Sequence, residues 1–153
     1  MQALQDRLLF IIGTPRSGST LLNRMLGAHA SIHAPAEPHI LTPLAHLGYY
    51  ERVDAAPYDP IISQRGIREL VPSLPGGEAR YLEALRGYTD RLYAGLLEGS
   101  GAHYLLDKTP AYGLVLDFVA RLYPEARYVV LTRHPMAIWS SVVDSFFLSL
   151  IHI

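Results

Sequence analysis

Cysteine is absent from all 153 residues, so disulfides and thiolate metal sites are excluded and the composition suits a reducing compartment. An excess of one charge is missing as well: 13 Lys and Arg face 14 Asp and Glu, for a net charge of -1 at pH 7. That balance argues against a broad nucleic-acid or anionic-membrane surface, and neither partner is expected. A small anionic ligand needs only a local cluster of cations and stays allowed. Long apolar runs are missing too. The run at 8–12 is too short for a signal core or a membrane span, and the residues before it lack the basic start of a signal peptide. These absences together lead to the expectation of a soluble cytoplasmic protein.

What is present reads as a folded chain. Half of the residues are hydrophobic and 18% are charged, a globular composition with enough length for one domain over 1–153. Leu8-Leu9-Phe10-Ile11-Ile12 is a continuous apolar run ended by Gly13, the pattern of a strand buried on both faces. Leu21, Leu22, Met25 and Leu26 then recur at helical spacing over 19–29. Residues 31–60 are rich in Pro and His and are expected to be irregular apart from a helix near 41–50. The Pro-Ser-Leu-Pro-Gly-Gly stretch at 72–77 is a break. A long amphipathic helix follows over 78–98, with Leu82, Leu85, Leu92 and Leu96 expected on its apolar side. A short strand over 103–106, a helix over 111–123 and a second buried strand over 127–132 come next, and Pro135 suits the first turn of a helix running towards Phe146. Strands alternating with helices predict a three-layer α/β fold, a central parallel sheet flanked by helices. Ligands of such sheets bind at the carboxyl ends of the strands, here Gly13, Asp107 and Arg133.

The first of these ends carries the strongest signal. Gly13 and Gly18 are spaced as in the Walker A phosphate loop, but Ser19 stands where that loop has its lysine. The physical logic survives the substitution. Two glycines let consecutive N–H groups aim inward, and the following helix adds its positive end. Ser17, Ser19 and Thr20 supply hydroxyls and Arg16 supplies charge. A bare strand-to-helix turn explains the glycines but not this company of groups.

At this point the sequence resembles the sulfotransferases that use 3′-phosphoadenosine 5′-phosphosulfate, whose 5′-phosphosulfate loop reads Pro, Lys or Arg, Ser, Gly, Ser or Thr, and Thr. Pro15-Arg16-Ser17-Gly18-Ser19-Thr20 satisfies every position, in the arginine form of the tyrosylprotein and related bacterial enzymes. The family's 3′-phosphate element follows a later strand, with Arg at its end, Pro two residues on and Ser eight residues on. Arg133, Pro135 and Ser141 match it. The spacing is sensible, since Ser141 lies about two helical turns from Arg133 and can face the same phosphate. The resemblance implies a P-loop NTPase-like fold, the phosphosulfate donor as cosubstrate and a hydroxyl-bearing acceptor. It runs in pieces from Leu8 to about Phe146, and a C-terminally truncated domain is expected because members normally continue well beyond this point.

Sulfuryl transfer to a hydroxyl needs a base, cations facing the leaving oxygen, and in-line placement. By resemblance Glu37, in Ala36-Glu37-Pro38-His39, takes the place of the family's base, against the plain alternative of a solvated loop carboxylate. Lys108 takes that of a cation near the bridging oxygen, against a salt bridge with neighbouring Asp107; Arg16 shares its task. His39 occupies the place of a substrate-side arginine, with an exposed loop histidine as its alternative. His29, His33, His39 and His46 have irregular spacing and complete no known ligand set, so no metal is expected. Tyrosines 49, 50, 88, 93 and 112 read as packing. Two rival functions are a P-loop nucleotide kinase or NTPase, and a truncated, non-catalytic nucleotide-binding module. The kinase would want a lysine at position 19 and an acidic strand end to organise magnesium, where this chain has Ser19 and Arg133. Protein tyrosine, carbohydrate, lipid and small-metabolite hydroxyls all stay open as acceptors.

Overall fold

The computed structural model describes residues 4–51 and 59–147; the apolar tail beyond 147 lies outside them. Four parallel strands form one sheet in the order β2-β3-β1-β4, from Leu8–Gly13 (β1), Ile32–His33 (β2), Tyr104–Asp107 (β3) and Arg127–Leu131 (β4). β1 is central because its apolar run has no polar face to turn to water: Leu8, Phe10, Ile11 and Ile12 are all buried. The Phe10 ring stacks on Tyr128 at 5.3 Å and meets Tyr112 edge-on at 6.3 Å, tying the sheet to the layer beside it. Parallel register pairs Phe10 with Asp107 and Gly13 with Leu131. The loops that follow three strands therefore open on one edge of the sheet.

The helices are α1 (Ser19–Gly27), α2 (Leu41–Ala45), α3 (Pro60–Ser73), α4 (Gly77–Glu98), α5 (Leu116–Leu122) and α6 (Pro135–Val142). A 3-10 turn over Pro110–Val115 leads into α5, and a π-helical turn over Val143–Phe147 extends α6. The α/β architecture is the one the alternation of strand and helix predicts. Three details differ. α3 was not expected: it starts at Pro60, where the expected irregular stretch ends, and the Asp59 carboxylate accepts from the Ile61 and Ile62 amides at 2.9 and 3.3 Å, an N-cap signal present in the sequence. α4 buries Leu85, Thr89, Tyr93 and Leu97, whereas Leu92 and Leu96 are exposed. Tyr93 and Thr89 win the inner face because their hydroxyls find partners there. β4, expected to be buried, is an edge strand with Val130 65% exposed, since no described strand pairs along its outer side. An apolar run identifies a strand; its seat in the sheet depends on what else packs.

Candidate functional site

The loop between β1 and α1 is shaped by backbone constraints. A Cβ added to Gly13 would lie 3.0 Å from both the Leu131 carbonyl oxygen and Ser17 Oγ, so a side chain there has no room. Gly18 has φ +98, which favours glycine. Arg16 between them adopts φ 67, a conformation costly for a residue with a Cβ. α1 then opens with no side-chain cap, which leaves its first amides to whatever enters the loop. Ser17 is 6% exposed and its Oγ has no hydrogen-bond partner. A buried hydroxyl left unpaired is costly, and an anion in the loop would satisfy it.

Both candidate anion motifs converge on this loop. Arg16 Nε donates to Ser141 Oγ at 3.0 Å and Arg16 Nη2 to Ser145 Oγ at 2.5 Å, while Arg133 Nη1 donates to the Arg16 carbonyl oxygen at 2.9 Å. Arg16, Gly18, Ser19, Thr20, Arg133 and Ser141 line one small cavity of about 210 Å³. All six were singled out by their motifs, from segments more than a hundred residues apart in sequence. The Arg16 guanidinium points across to α6 and its extension. Ser145 was not expected; lying four residues after Ser141, it shares a helical face with it, and that spacing was the available signal.

Beside this cavity lies a larger one of about 870 Å³, lined by Thr14, Arg16, Ser19, Glu37 and His39 among others. Pro110, Ala111 and Leu114 give it an apolar wall. The buried Lys108 ammonium donates to Glu37 Oε1, and His39 Nε2 lies 3.3 Å from Glu37 Oε2. The Glu37 side chain keeps 35% of its surface exposed, so it is held yet open to the cavity. His39 has φ 53; with Arg16 it is one of two described non-glycine residues in the left-handed region, and both border this cavity. Asp107, weighed above as the partner of Lys108, turns the other way into the core. Its carboxylate accepts from the hydroxyls of Tyr93, Tyr112 and Thr109 at 2.8, 2.9 and 2.9 Å, and burial pushes its pKa up from the ordinary carboxylate range. Sequence reasoning missed this cluster, because its members come from three elements. Tyr93 and Tyr112 are buried as expected of packing residues, whereas Tyr88 is exposed.

A model of the sulfotransferase family, under the description "Sulfotransferase family", matches residues 9–150. The chain belongs to the sulfotransferase family. It is similar to the nodulation protein NoeE of Sinorhizobium fredii, at 37% identity over 87% of this chain and 30% of that protein. Human protein-tyrosine sulfotransferase 1 is 29% identical over 90% of the chain and 34% of its own length. Among solved structures, the sulfotransferase domain from the curacin biosynthetic pathway superposes with a TM-score of 0.54 at 26% identity, over 95% of this chain and 53% of that domain. This sulfotransferase-family chain thus spans about a third of the curated relatives and half of the solved domain. The matched range, residues 9–150, spans the β1–α1 loop, Glu37, Lys108 and α6.

Proposed function

We propose that the chain binds 3′-phosphoadenosine 5′-phosphosulfate and serves transfer of its sulfuryl group to an acceptor hydroxyl, with adenosine 3′,5′-bisphosphate as the leaving group. One observation carries the reading: Arg16, Ser141 and Arg133 are hydrogen-bonded around a single small cavity, and Glu37, held by the buried Lys108, lines the cavity beside it. The orphaned Ser17 hydroxyl and the uncapped α1 suit the 5′ end of the donor, with Ser19 and Thr20 beside them. Arg133 and Ser141 suit the 3′-phosphate, and Arg16 would share charge with both ends. The donor supplies an activated sulfuryl group when bound. Glu37 would take the proton of the acceptor hydroxyl, and Lys108 would place positive charge where the leaving oxygen develops its own negative charge. The apolar wall of the larger cavity would carry the body of the acceptor. Residues 1–153 are read as one sulfotransferase domain portion holding both anion sites, and the cysteine-free composition supports a cytoplasmic place of action. Among the described residues no helix is long and apolar enough to cross a membrane.

The test is a thermal shift with adenosine 3′,5′-bisphosphate set against magnesium ATP. A rise in melting temperature with the bisphosphate and none with ATP is expected; the reverse pattern would replace this reading with an NTPase. Glu37→Ala should keep the bisphosphate response while sulfuryl transfer falls by roughly 10²–10⁴-fold, the range for loss of a general base. Equal transfer by the variant would remove Glu37 from the role.

A further inference from the structure

Asp107 ends β3 with only 2% of its surface exposed. A buried carboxylate is a costly way to end a strand, and burial is the first cause of its raised pKa. Removing it alone would strand three buried hydroxyl donors. What the carboxylate gains is connections. Tyr93 Oη reaches it from α4, Tyr112 Oη from the 3-10 turn, and Thr109 Oγ1 from two residues along the same chain.

Two of those bonds lead to the reacting pair. Thr109 and Asp107 clasp each other across Lys108, so the backbone that carries the ammonium is braced on both sides. Tyr112 Oη, while donating to Asp107, accepts from the Leu41 amide at 3.3 Å. Leu41 lies four residues after Glu37, and it is fully buried at the start of α2. The other end of that segment is held by β2, where His33 pairs with Leu105 of β3. Between the two anchors His39 sits at φ 53, a conformation that persists only when its surroundings hold it. One buried anion therefore fixes the chain on the Lys108 side directly and on the Glu37 side through a tyrosine.

We infer that Asp107, Tyr112 and Thr109 are positioning residues that set the Lys108 ammonium against the Glu37 carboxylate. The purpose of that setting rests on the sulfuryl-transfer reading; the tether itself does not. Tyr112→Phe keeps the ring that packs on Phe10 and removes only the relay. In the full chain, amide hydrogen exchange at residues 39–41 should speed up by about tenfold, the equivalent of one lost hydrogen bond. Tyr93→Phe should leave exchange there unchanged, because it breaks a bond to Asp107 but not the link to Leu41. With the donor present, Tyr112→Phe should lower kcat by about tenfold while bisphosphate affinity and donor KM stay within about twofold. Thr109→Ser should retain activity and Thr109→Val should lose it. In a Glu37→Gln background Tyr112→Phe should add no further loss, since both changes act through one group. Unchanged exchange at 39–41 in Tyr112→Phe, or full additivity with Glu37→Gln, would overturn the inference. Absence of sulfuryl transfer by the unaltered chain would sink the proposed function instead, and the exchange comparison would still decide the tether.

Discussion

Ser17 is the residue at which the proposed donor site makes its sharpest demand on one side chain. Its hydroxyl is buried without a partner, so the protein without ligand gains nothing from it. Ser17→Ala should therefore leave the melting temperature of the free protein unchanged or slightly raised, while affinity for adenosine 3′,5′-bisphosphate falls about tenfold, the lower range for a hydrogen bond to a charged group. Isothermal titration of the two forms checks both halves. Arg133→Ala should cost more affinity, about ten- to a hundredfold, because the guanidinium both faces the small cavity and supports the Arg16 carbonyl. If Ser17→Ala lost stability and kept affinity, the hydroxyl would be a packing feature and the loop would need another ligand.

At the scale of elements, the inner face of α4 shows how helical periodicity and tertiary packing divide their work. The expected stripe of Leu82, Leu85, Leu92 and Leu96 gives way to one of Leu85, Thr89, Tyr93 and Leu97, which the structure buries. That choice follows from what stands opposite. Thr89 Oγ1 lies 2.5 Å from Tyr123 Oη, and Tyr93 reaches Asp107 at 2.8 Å, so the polar tips on this face are satisfied. Leu97→Ala should destabilise by about 2–5 kcal/mol through the cavity it leaves, and Leu92→Ala on the exposed side by well under half of that. Denaturant midpoints with an unchanged slope would verify the contrast. Comparable losses from the two variants would mean that the exposed stripe is covered in solution.

For the whole molecule, the buried and half-buried tyrosines make a common prediction. Burial, as the largest cause in each case, pushes Tyr128 up to about 12 and moves Tyr50, Tyr93, Tyr112 and Tyr123 higher still. Below about pH 10 folded and unfolded chains both keep these protons and the associated stability is fully present. Above it the unfolded chain ionises first, so stability is lost as pH rises through the raised folded values. The tyrosinate absorbance of these five residues should therefore appear together with the loss of circular dichroism, not before it. A titration of these five tyrosines within an intact fold would contradict the burial of this core. The same core explains why the site is well held: Phe10, Tyr112, Tyr123 and Tyr128 pack directly behind the strand ends that carry it.

Three of the four described strands and five of the six α-helices, with the candidate anion loop between β1 and α1, were readable from residues alone, because period, chain-breaking residues and loop glycines act over a few neighbours. Gly13, Gly18 and the Arg133–Ser141 spacing belong to that local level. The sequence also named Glu37 and Lys108, through resemblance, but left Asp107 as a possible partner for the lysine. Only the tertiary structure paired Lys108 with Glu37, 71 residues away, and turned Asp107 inward to three hydroxyls. It also decided that β4 is an edge and that α4 buries Tyr93 and leaves Leu92 out. The physical reason is common to all of these. Local patterns set backbone conformation and which faces are apolar, whereas the choice among possible partners depends on which surfaces the sheet order brings within hydrogen-bonding or packing distance.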